Sequence, residues 1–391
     1  MKNPGYLKAG NNRIASRISC TEEEARQAKE IIKSNRKTFI ENTNENANVI
    51  NEFETYLNRI GVSHDEVKSV KFWQTQSGEL RYSIVTNREE NELPKIEDVV
   101  EALLKEEDNL PKIEQQEIVE PIRHRTLIVY LSDMHIGSMV SDEALYENYY
   151  NPKELEYRLG EVFIEILNAY KTFGVFTNLY VVNLGDSLDG LDGYTTRRDH
   201  RIPQNLTNKE AFETFIKVHK DFYRRLITSR ISANYKFIHI TNSNHGGEFE
   251  YFATRCLEEY MKLICANNPV EFFTCTKFLN HFTIGEHIFI FTHGKDDSDM
   301  KLPFPLNLDT KTESFILDYA RHNDIPLNNL HVVKGDLHQA NTNHGKFFRY
   351  RNIPSLFGSS KWIMANFGNT RPGFSFDMLD GKIVYSWDIN F

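Results

Sequence analysis

Short apolar runs rich in β-branched and aromatic residues recur along the chain beyond residue 123, and helix-length segments separate several of them. The runs are TLIVYLS, LYVVNLG, YKFIHIT, EFFTCT, HIFIFTH, HVVKG and KIVYSWDI. Two of the intervening segments, ELEYRLGEVFIEILNAY and KEAFETFIKVHKDFYRRLI, place apolar residues at helical spacing. Continuous apolar runs are typical of strands that are buried on both faces, so the pattern predicts an α/β fold.

Residues 1–90 follow a different pattern, which predicts helices and one hairpin. Thr21 and Glu24 fit a capping box before a helical apolar repeat, and the segment VINEFETYLNRI resumes that repeat. The segment VKFWQTQSGELRYSIVT predicts a hairpin that turns at Ser77-Gly78. We expect this region to be mainly helical and either to bind nucleic acid or a partner or to pack as a cap beside the ligand crevice.

The segment NRIASRISCTEEEARQAKEII fits either an ordinary helical pair or a helix-turn-helix. Four glutamates on the would-be reading helix favour the ordinary pair, because DNA phosphates would repel them. Residues 91–123 are charged and interrupted by Pro94, Pro111 and Pro121, with a short helix predicted over IEDVVEALLKEED. We therefore interpret 91–123 as a charged linker and 124–391 as a second domain.

Composition limits the possible partners and compartments. The chain has 391 residues, enough for two domains, and a net charge of −9, so no overall positive field attracts nucleic acid or anionic lipid. No run of 18 apolar residues predicts a membrane span, and the first residues lack the apolar core of a signal peptide. The four cysteines form no CxxC pair. We expect a cytoplasmic protein in a reducing compartment, of unknown oligomeric state, that makes no membrane contact.

Five of the predicted strands are followed by side chains that can bind a metal ion or transfer a proton. These side chains are Asp133 and His135, Asp186 and Asp189, Asn244 and His245, His293, and Asp336 and His338. Strand carboxyl ends face the ligand crevice in open α/β sheets, so five segments can converge on one point. In extended chain residues i and i+2 point the same way, so Asp133 and His135 should project together.

This set of donors limits which metal ions, and how many, the site can bind. Several carboxylates, several imidazoles and an amide are too many for one four-coordinate zinc ion, and no cysteine is among them. Mixed oxygen and nitrogen donors suit two divalent ions such as Mn, Fe or Zn. Two ions about 3.5–4 Å apart can bridge a hydroxide and bind both the attacking and the leaving oxygen of a phosphoryl transfer.

The motifs DMH, GDSLD, SNHG, THG and GDLH stand in the order of the signature of the calcineurin-like metallophosphoesterase superfamily, which the chain resembles from Thr126 to its C-terminus. The resemblance implies a four-layer α-β-β-α sandwich and two divalent ions, with Mn the first expectation and Fe, Zn or Mg the alternatives. It implies that His245 acts as general acid, or as a donor to the developing oxyanion at the leaving oxygen, and that Asp189 orients it. The implied metal ligands are Asp133, His135 and His338 for the first ion, Asp186 as the bridge, and Asn244, His293 and Asp336 for the second.

Three positions depart from the signature of the family. Asp336 stands where a second-metal histidine is usual, and a carboxylate there would shift the preference toward Mn or Mg. Ser243 replaces a glycine, and Gly246 replaces an acidic residue.

A basic loop follows the second motif. Arg197, Arg198 and Arg201 could bind a substrate phosphate, and Lys295 beside His293 is a similar, weaker candidate. The alternative for the arginines is a solvated loop, or one ion-paired with Asp192 and Asp199.

The motifs predict a metal-dependent hydrolase of phosphate esters that uses a metal-bridged hydroxide. The chain is similar to phage-encoded members grouped with DNA-repair exonucleases, which makes a nuclease or nucleotide phosphodiesterase acting on DNA, RNA or nucleotides the first expectation. A phosphomonoesterase acting on proteins or small molecules is the enzymatic alternative. A catalytically silent binding or structural module on the same fold is the alternative of another class.

Overall fold

The computed structural model describes Leu57 and residues 67–74, 80–86, 93–106, 113–114, 120–140, 148–196, 200–297, 303–360, 363–364, 368 and 370–391. Contacts divide the chain into Met1–Asp65 and Glu66–Phe391, and the description that follows concerns the second unit. The helices predicted near the N-terminus, and the helix-turn-helix alternative, lie outside the described residues. The boundaries predicted at residues 90 and 123 stay predictions.

Five α-helices lie within the described residues. They are α1 (Ile96–Glu106), α2 (Pro152–Phe173), α3 (Asn208–Thr228), α4 (Gly247–Ile264) and α5 (Thr310–His322). Local sequence fixes where several of them begin: the Asn151 side chain accepts from the backbone N–H of Glu154 before α2, and Thr207 and Glu210 form a capping box before α3. The helix expected within the linker is α1, and its Val100 is buried in the main core.

A large six-stranded sheet has the order β13-β12-β3-β4-β5-β6. Its strands are β3 (Arg125–Leu131), β4 (Phe176–Asn183), β5 (Ser232–Ile240), β6 (Val270–Cys275), β12 (Gly373–Asp380) and β13 (Ile383–Asn390). Strands β3 to β6 run parallel, and β12 pairs antiparallel with both β3 and β13. The carboxyl ends of β3, β4 and β5 therefore lie at one edge, as the sequence predicted.

A smaller five-stranded sheet has the order β10-β11-β9-β8-β7. Its strands are β7 (Asn280–Ile284), β8 (His287–Thr292), β9 (Leu330–Lys334), β10 (Asn341–His344) and β11 (Phe348–Asn352). Strands β8, β9 and β11 are parallel, so β8 and β9 also end side by side. A separate antiparallel pair, β1 (Val67–Gln74) and β2 (Leu80–Thr86), is the predicted hairpin.

Alternate residues of the central strands belong to different core clusters. In β3, Leu127 and Val129 pack with residues of α2, α3 and α4, whereas Ile128 and Tyr130 pack with Phe289 and other side chains of the small sheet. The other face of the small sheet packs against α5. Both sheets are thus covered on two faces, which explains why β3 and β8 are continuous apolar runs.

Two features of the sheets differ from the sequence prediction. The run KIVYSWDI is the edge strand β13 and is not buried on both faces: the side chains of Ile383 and Tyr385 remain 55% and 43% exposed. The ring of Tyr385 instead packs against Phe173. Strands β7, β10, β11 and β12 and helix α5 were not predicted, because polar residues interrupt their apolar pattern. No helix among the described residues has the length and hydropathy needed to cross a bilayer.

Candidate metal centre

Left-handed backbone turns carry most of the predicted metal ligands. Asp133, His135, Asp186, Asp336 and His338 all have positive φ angles, between 44° and 73°. Such conformations are uncommon outside glycine and cluster at functional sites. The chain after β3 is therefore not extended. The prediction that Asp133 and His135 project together was made for the wrong geometric reason, because they are not residues i and i+2 of a strand. Two tight turns direct their side chains inward.

Hydrogen bonds between neighbouring loops hold these turns. The N–H of Asp133 donates to the carbonyl of Gly185 over 3.0 Å, and the N–H of His135 donates to the carbonyl of Asp186 over 2.9 Å. The loop after β3 is thereby fixed directly onto the loop after β4. Main-chain hydrogen bonds thus help to hold two of the predicted ligand segments in register.

Asp133, His135 and His338 form a first group that could hold a metal ion. Asp133 Oδ1 lies 3.3 Å from His338 Nε2 and 3.8 Å from His135 Nε2, and the two Nε2 atoms are 3.3 Å apart. Asp133 Oδ1 is buried and has no hydrogen-bond partner. An orphaned carboxylate oxygen facing two imidazole nitrogens fits a divalent cation, which would satisfy it.

A second group consists of Asp133, Asp186 and His293, with Asn244 beside it. Asp186 Oδ2 lies 3.0 Å from His293 Nε2, and Asn244 Oδ1 lies 3.2 Å from the same nitrogen. All of these side chains are buried. Carboxylate, amide oxygen and imidazole are donors that Mn, Fe and Zn accept, so the chemistry of this group also fits a metal ion.

Two backbone carbonyls fix the orientation of the metal-facing imidazoles. His293 Nδ1 donates to the carbonyl of Leu184 over 2.9 Å, and His338 Nδ1 donates to the carbonyl of Gly358 over 2.7 Å. Each ring therefore directs Nε2 into the site, as metal-binding histidines commonly do. Gly358 belongs to the segment PSLFGSS. The sequence did not reveal its supporting role, because any residue can supply a backbone carbonyl acceptor.

Asp189 joins two histidines. Its Oδ1 lies 2.9 Å from His245 Nδ1 and 3.0 Å from His135 Nδ1. Its Oδ2 accepts hydrogen bonds from Ser138 Oγ and Gln204 Nε2. The structure thus brings Asp189 to His245 as the sequence predicted, and it adds a contact to His135 that was not foreseen.

The charges of the site attract positive charge strongly. Burial alone would raise the pKa of Asp186, but His293 and His245 hold that pKa well below its ordinary value. Burial alone would lower the pKa of His293, yet Asp186 and Asp133 raise it to about 10. The buried carboxylates thus favour protons on the imidazoles beside them, which would neutralise their charge. A bound divalent cation would take over this role and displace those protons.

The remaining predicted residues lie less centrally or outside the described chain. Asp336 joins neither of the two groups above; its backbone N–H donates to Asp133 Oδ2 over 3.2 Å. Arg201 donates to the carbonyl of Asp192 within its own loop, and its part in substrate binding stays a prediction. Arg197 and Arg198 lie outside the described residues.

Glu250 occupies the space beside Gly246, where the family signature has an acidic residue. A side-chain carbon on Gly246 would lie 2.1 Å from Glu250 Oε2. Glu250 accepts from the N–H of Ser187 over 3.0 Å and from Ser243 Oγ over 3.1 Å. This buried carboxyl therefore joins the loops that carry Asp186 and Asn244, a role the sequence did not indicate.

Comparison with known proteins gives matches among solved structures only. No family model and no curated protein matches the chain. The structure is similar to wild-type Vps29 complexed with zinc from Entamoeba histolytica (12% identity, 68% of this chain, 98% of that chain, TM-score 0.31). It is also similar to a novel archaeal phosphodiesterase (15% identity, 67% of this chain, 99% of that chain, TM-score 0.32). A third match is a predicted phosphoesterase from Streptococcus pneumoniae (12% identity, 68% of this chain, 98% of that chain, TM-score 0.24).

All of these TM-scores lie below 0.5. The five ordered motifs of the chain resemble those of calcineurin-like metallophosphoesterases.

Proposed function

We propose that this protein is a calcineurin-like metallophosphoesterase that hydrolyses phosphodiester bonds, as a nuclease or a nucleotide phosphodiesterase. The observation that carries the proposal is the convergence of side chains from five strand ends, with the orphaned Asp133 Oδ1 among them. The alternating core clusters of β3 and β8 support the four-layer α-β-β-α order of the fold. Such a centre, exposed at strand carboxyl ends, suits catalysis on a ligand in the adjoining crevice.

Two divalent ions are the proposed cofactors, with Mn as the first candidate. Asp133, His135 and His338 would hold one ion, Asn244 and His293 the other, and Asp186 would bridge them. Bound there, the ions would stabilise negative charge on the phosphoryl oxygens and supply an activated water. The two groups of donors share Asp133, so the two proposed metal sites are adjacent.

His245 is the proposed general acid. Its side chain is 20% exposed, so it lies at the surface of the site rather than behind it. Asp189 fixes the Nδ1 proton, and Nε2 lies 3.9 Å from Asp186 Oδ2, on the metal-facing side. Burial lowers the pKa of His245, but Asp186 and Asp189 raise it above its ordinary value. His245 can therefore carry a proton at Nε2 and donate it to the leaving oxygen.

Turnover of chromogenic esters by the full chain tests this proposal. With Mn present, we expect hydrolysis of bis-p-nitrophenyl phosphate to exceed that of p-nitrophenyl phosphate. His245→Ala should reduce kcat by about a hundredfold or more while metal content, measured by mass spectrometry, stays unchanged. His322→Ala, at the exposed end of α5, is the matched control.

Other outcomes would redirect the assignment. Preference for the monoester would favour a phosphatase. Absence of turnover on both esters, with metal bound, would favour the silent binding module. Full activity of His245→Ala would remove His245 from the mechanism.

A further inference from the structure

The carboxylate of Asp336 has a cationic partner at the rim of the site. Asp336 Oδ1 lies 3.9 Å from Lys295 Nζ, an ion pair that is longer than a direct hydrogen bond. Among the described residues, Asp336 belongs to none of the groups whose donor atoms lie close enough to share a metal ion. The side chain that replaces the usual histidine thus faces a lysine that the signature of the family does not include.

Lys295 is positioned by the same strand end that delivers His293. It follows His293 by two residues at the end of β8, and its side chain is 34% exposed, whereas that of His293 is fully buried. The carbonyl of the intervening Gly294 accepts a hydrogen bond from the N–H of Phe304 over 2.7 Å, which anchors the turn. The ammonium group is therefore held beside the metal-facing side chains yet open to a ligand that arrives from solvent.

Two lysines lie on this side of the site. Lys334 is fully buried, and its Nζ donates to the carbonyl of Gly335 over 2.9 Å. Lys295 is the more exposed of the two, and it is close enough to His245 that its charge lowers the pKa of that histidine. Its ammonium group gives an anionic ligand a cationic partner next to the proposed general acid.

We propose that Lys295, oriented by Asp336, binds a non-bridging oxygen of the substrate phosphoryl group, and that Asp336 is not a metal ligand. This inference rests on the proposed function, since it names the residue that recognises the substrate of the same site. A lysine ammonium is a compact point charge suited to a phosphate oxygen. Asp336 keeps it from extending into solvent and so lowers the entropy lost on binding.

Binding of inorganic phosphate to the Mn-loaded full chain tests the inference without requiring turnover. Lys295→Met should weaken phosphate binding, measured by titration calorimetry, by about tenfold or more, because a charge-assisted contact is lost. Lys295→Arg should restore most of the affinity. Asp336→Asn should weaken phosphate binding to a smaller extent and leave the number of bound Mn ions unchanged. Lys382→Met, an exposed lysine in the β12–β13 turn, is the matched control.

The kinetic readout separates binding from chemistry. With bis-p-nitrophenyl phosphate, Lys295→Met should raise KM about tenfold while kcat falls less, since the lysine acts on both ground and transition states. Mn content by mass spectrometry should be equal in all of these variants and the wild type.

The failures of the two proposals are distinguishable. Loss of one Mn equivalent in Asp336→Asn, or unchanged phosphate affinity in Lys295→Met, would overturn the role of Lys295 and Asp336 even if the wild type hydrolyses diesters. Phosphate binding that depends on Lys295 in a protein without turnover would support the inference and reject the proposed function.

Discussion

Glu250 allows a sharp test of how the loops around the site are held. It is 1% exposed, and its two oxygens accept from the N–H of Ser187 and the hydroxyl of Ser243, both of which are fully buried. In Glu250→Ala these two donors lose their acceptor. Each unsatisfied buried group costs about 1–3 kcal/mol, so the free energy of unfolding should fall by about 2–6 kcal/mol.

Glu250→Gln should behave differently because it keeps the shape and both contacts. Its Oε1 can accept from Ser187 as before, and the Ser243 hydroxyl can rotate to accept from the amide. At pH 5 its stability should lie within about 1 kcal/mol of the wild type. Glu248→Ala, an exposed neighbour in the first turn of α4, should change stability by less than about 0.5 kcal/mol.

The pH dependence gives a second, independent readout. Burial and the nearby Asp186 raise the pKa of Glu250 from 4.5 to about 8. A carboxyl with a raised folded pKa binds its proton more tightly in the folded state, so its stabilisation is complete below pH 4.5 and is lost as pH rises toward 8. The loss approaches about 1.4 kcal/mol per pH unit within this window. Glutamine cannot lose a proton, so Glu250→Gln should gain stability relative to the wild type as pH rises.

Urea unfolding of the chelator-treated protein at pH 5, 6.5 and 8, followed by circular dichroism, measures these differences. Equal loss of stability in Glu250→Gln and Glu250→Ala at pH 5 would refute the hydrogen-bonding argument. A constant difference between wild type and Glu250→Gln across the three pH values would refute the raised pKa.

Three further predictions concern contacts around the site. Arg351→Met should lower the free energy of unfolding by about 3–5 kcal/mol, because Asp377, its partner at 2.6 Å across the two sheets, would stay buried with hydroxyl donors but without its close cationic partner. Denaturant unfolding of this variant and of the Arg351→Met/Asp377→Asn double variant, which should recover part of the loss, checks this prediction. Gly335→Ala should weaken Mn binding, measured by calorimetry, about tenfold or more, because the added carbon would lie 2.1 Å from Ser132 Oγ and 3.0 Å from Asp133 Oδ2. The control Gly160→Ala has open space around the added carbon and should bind Mn as the wild type does. Asp189→Asn should lower kcat for the diester about a hundredfold or more, because His245 loses the acceptor that fixes its Nδ1 proton; a kcat within twofold of the wild type would contradict this role.

The sequence predicted the parts of the fold that depend on short-range patterns. Strands β3 and β8 are buried on both faces, so their apolar runs are unbroken, and the polar residues that end them mark the edge where the site lies. Strands β10 and β12 were missed because polar residues interrupt their apolar pattern. In β12 the buried Asp377 pairs with Arg351 of β11, a partner that its own segment of sequence does not reveal.

The residue types of the candidate site could be predicted from the sequence, but the contacts that hold those residues in place could not. Asp133, Asp186, Asn244, His293 and His338 come together as their motifs indicated. The left-handed turns, the carbonyls that orient the histidines and the bridging carboxyl of Glu250 leave no distinct pattern in a single sequence. Asp336 shows the limit most clearly, since its residue type permits metal binding and only its neighbour Lys295 suggests another role.

The most direct test of the central claim is the anomalous diffraction of crystals of the full chain loaded with Mn. We predict two peaks, one within coordination distance of Asp133, His135 and His338 and one within coordination distance of Asn244 and His293, with Asp186 touching both. Mn bound elsewhere, with no peak among these side chains, would contradict the claim that the five strand ends form a metal centre.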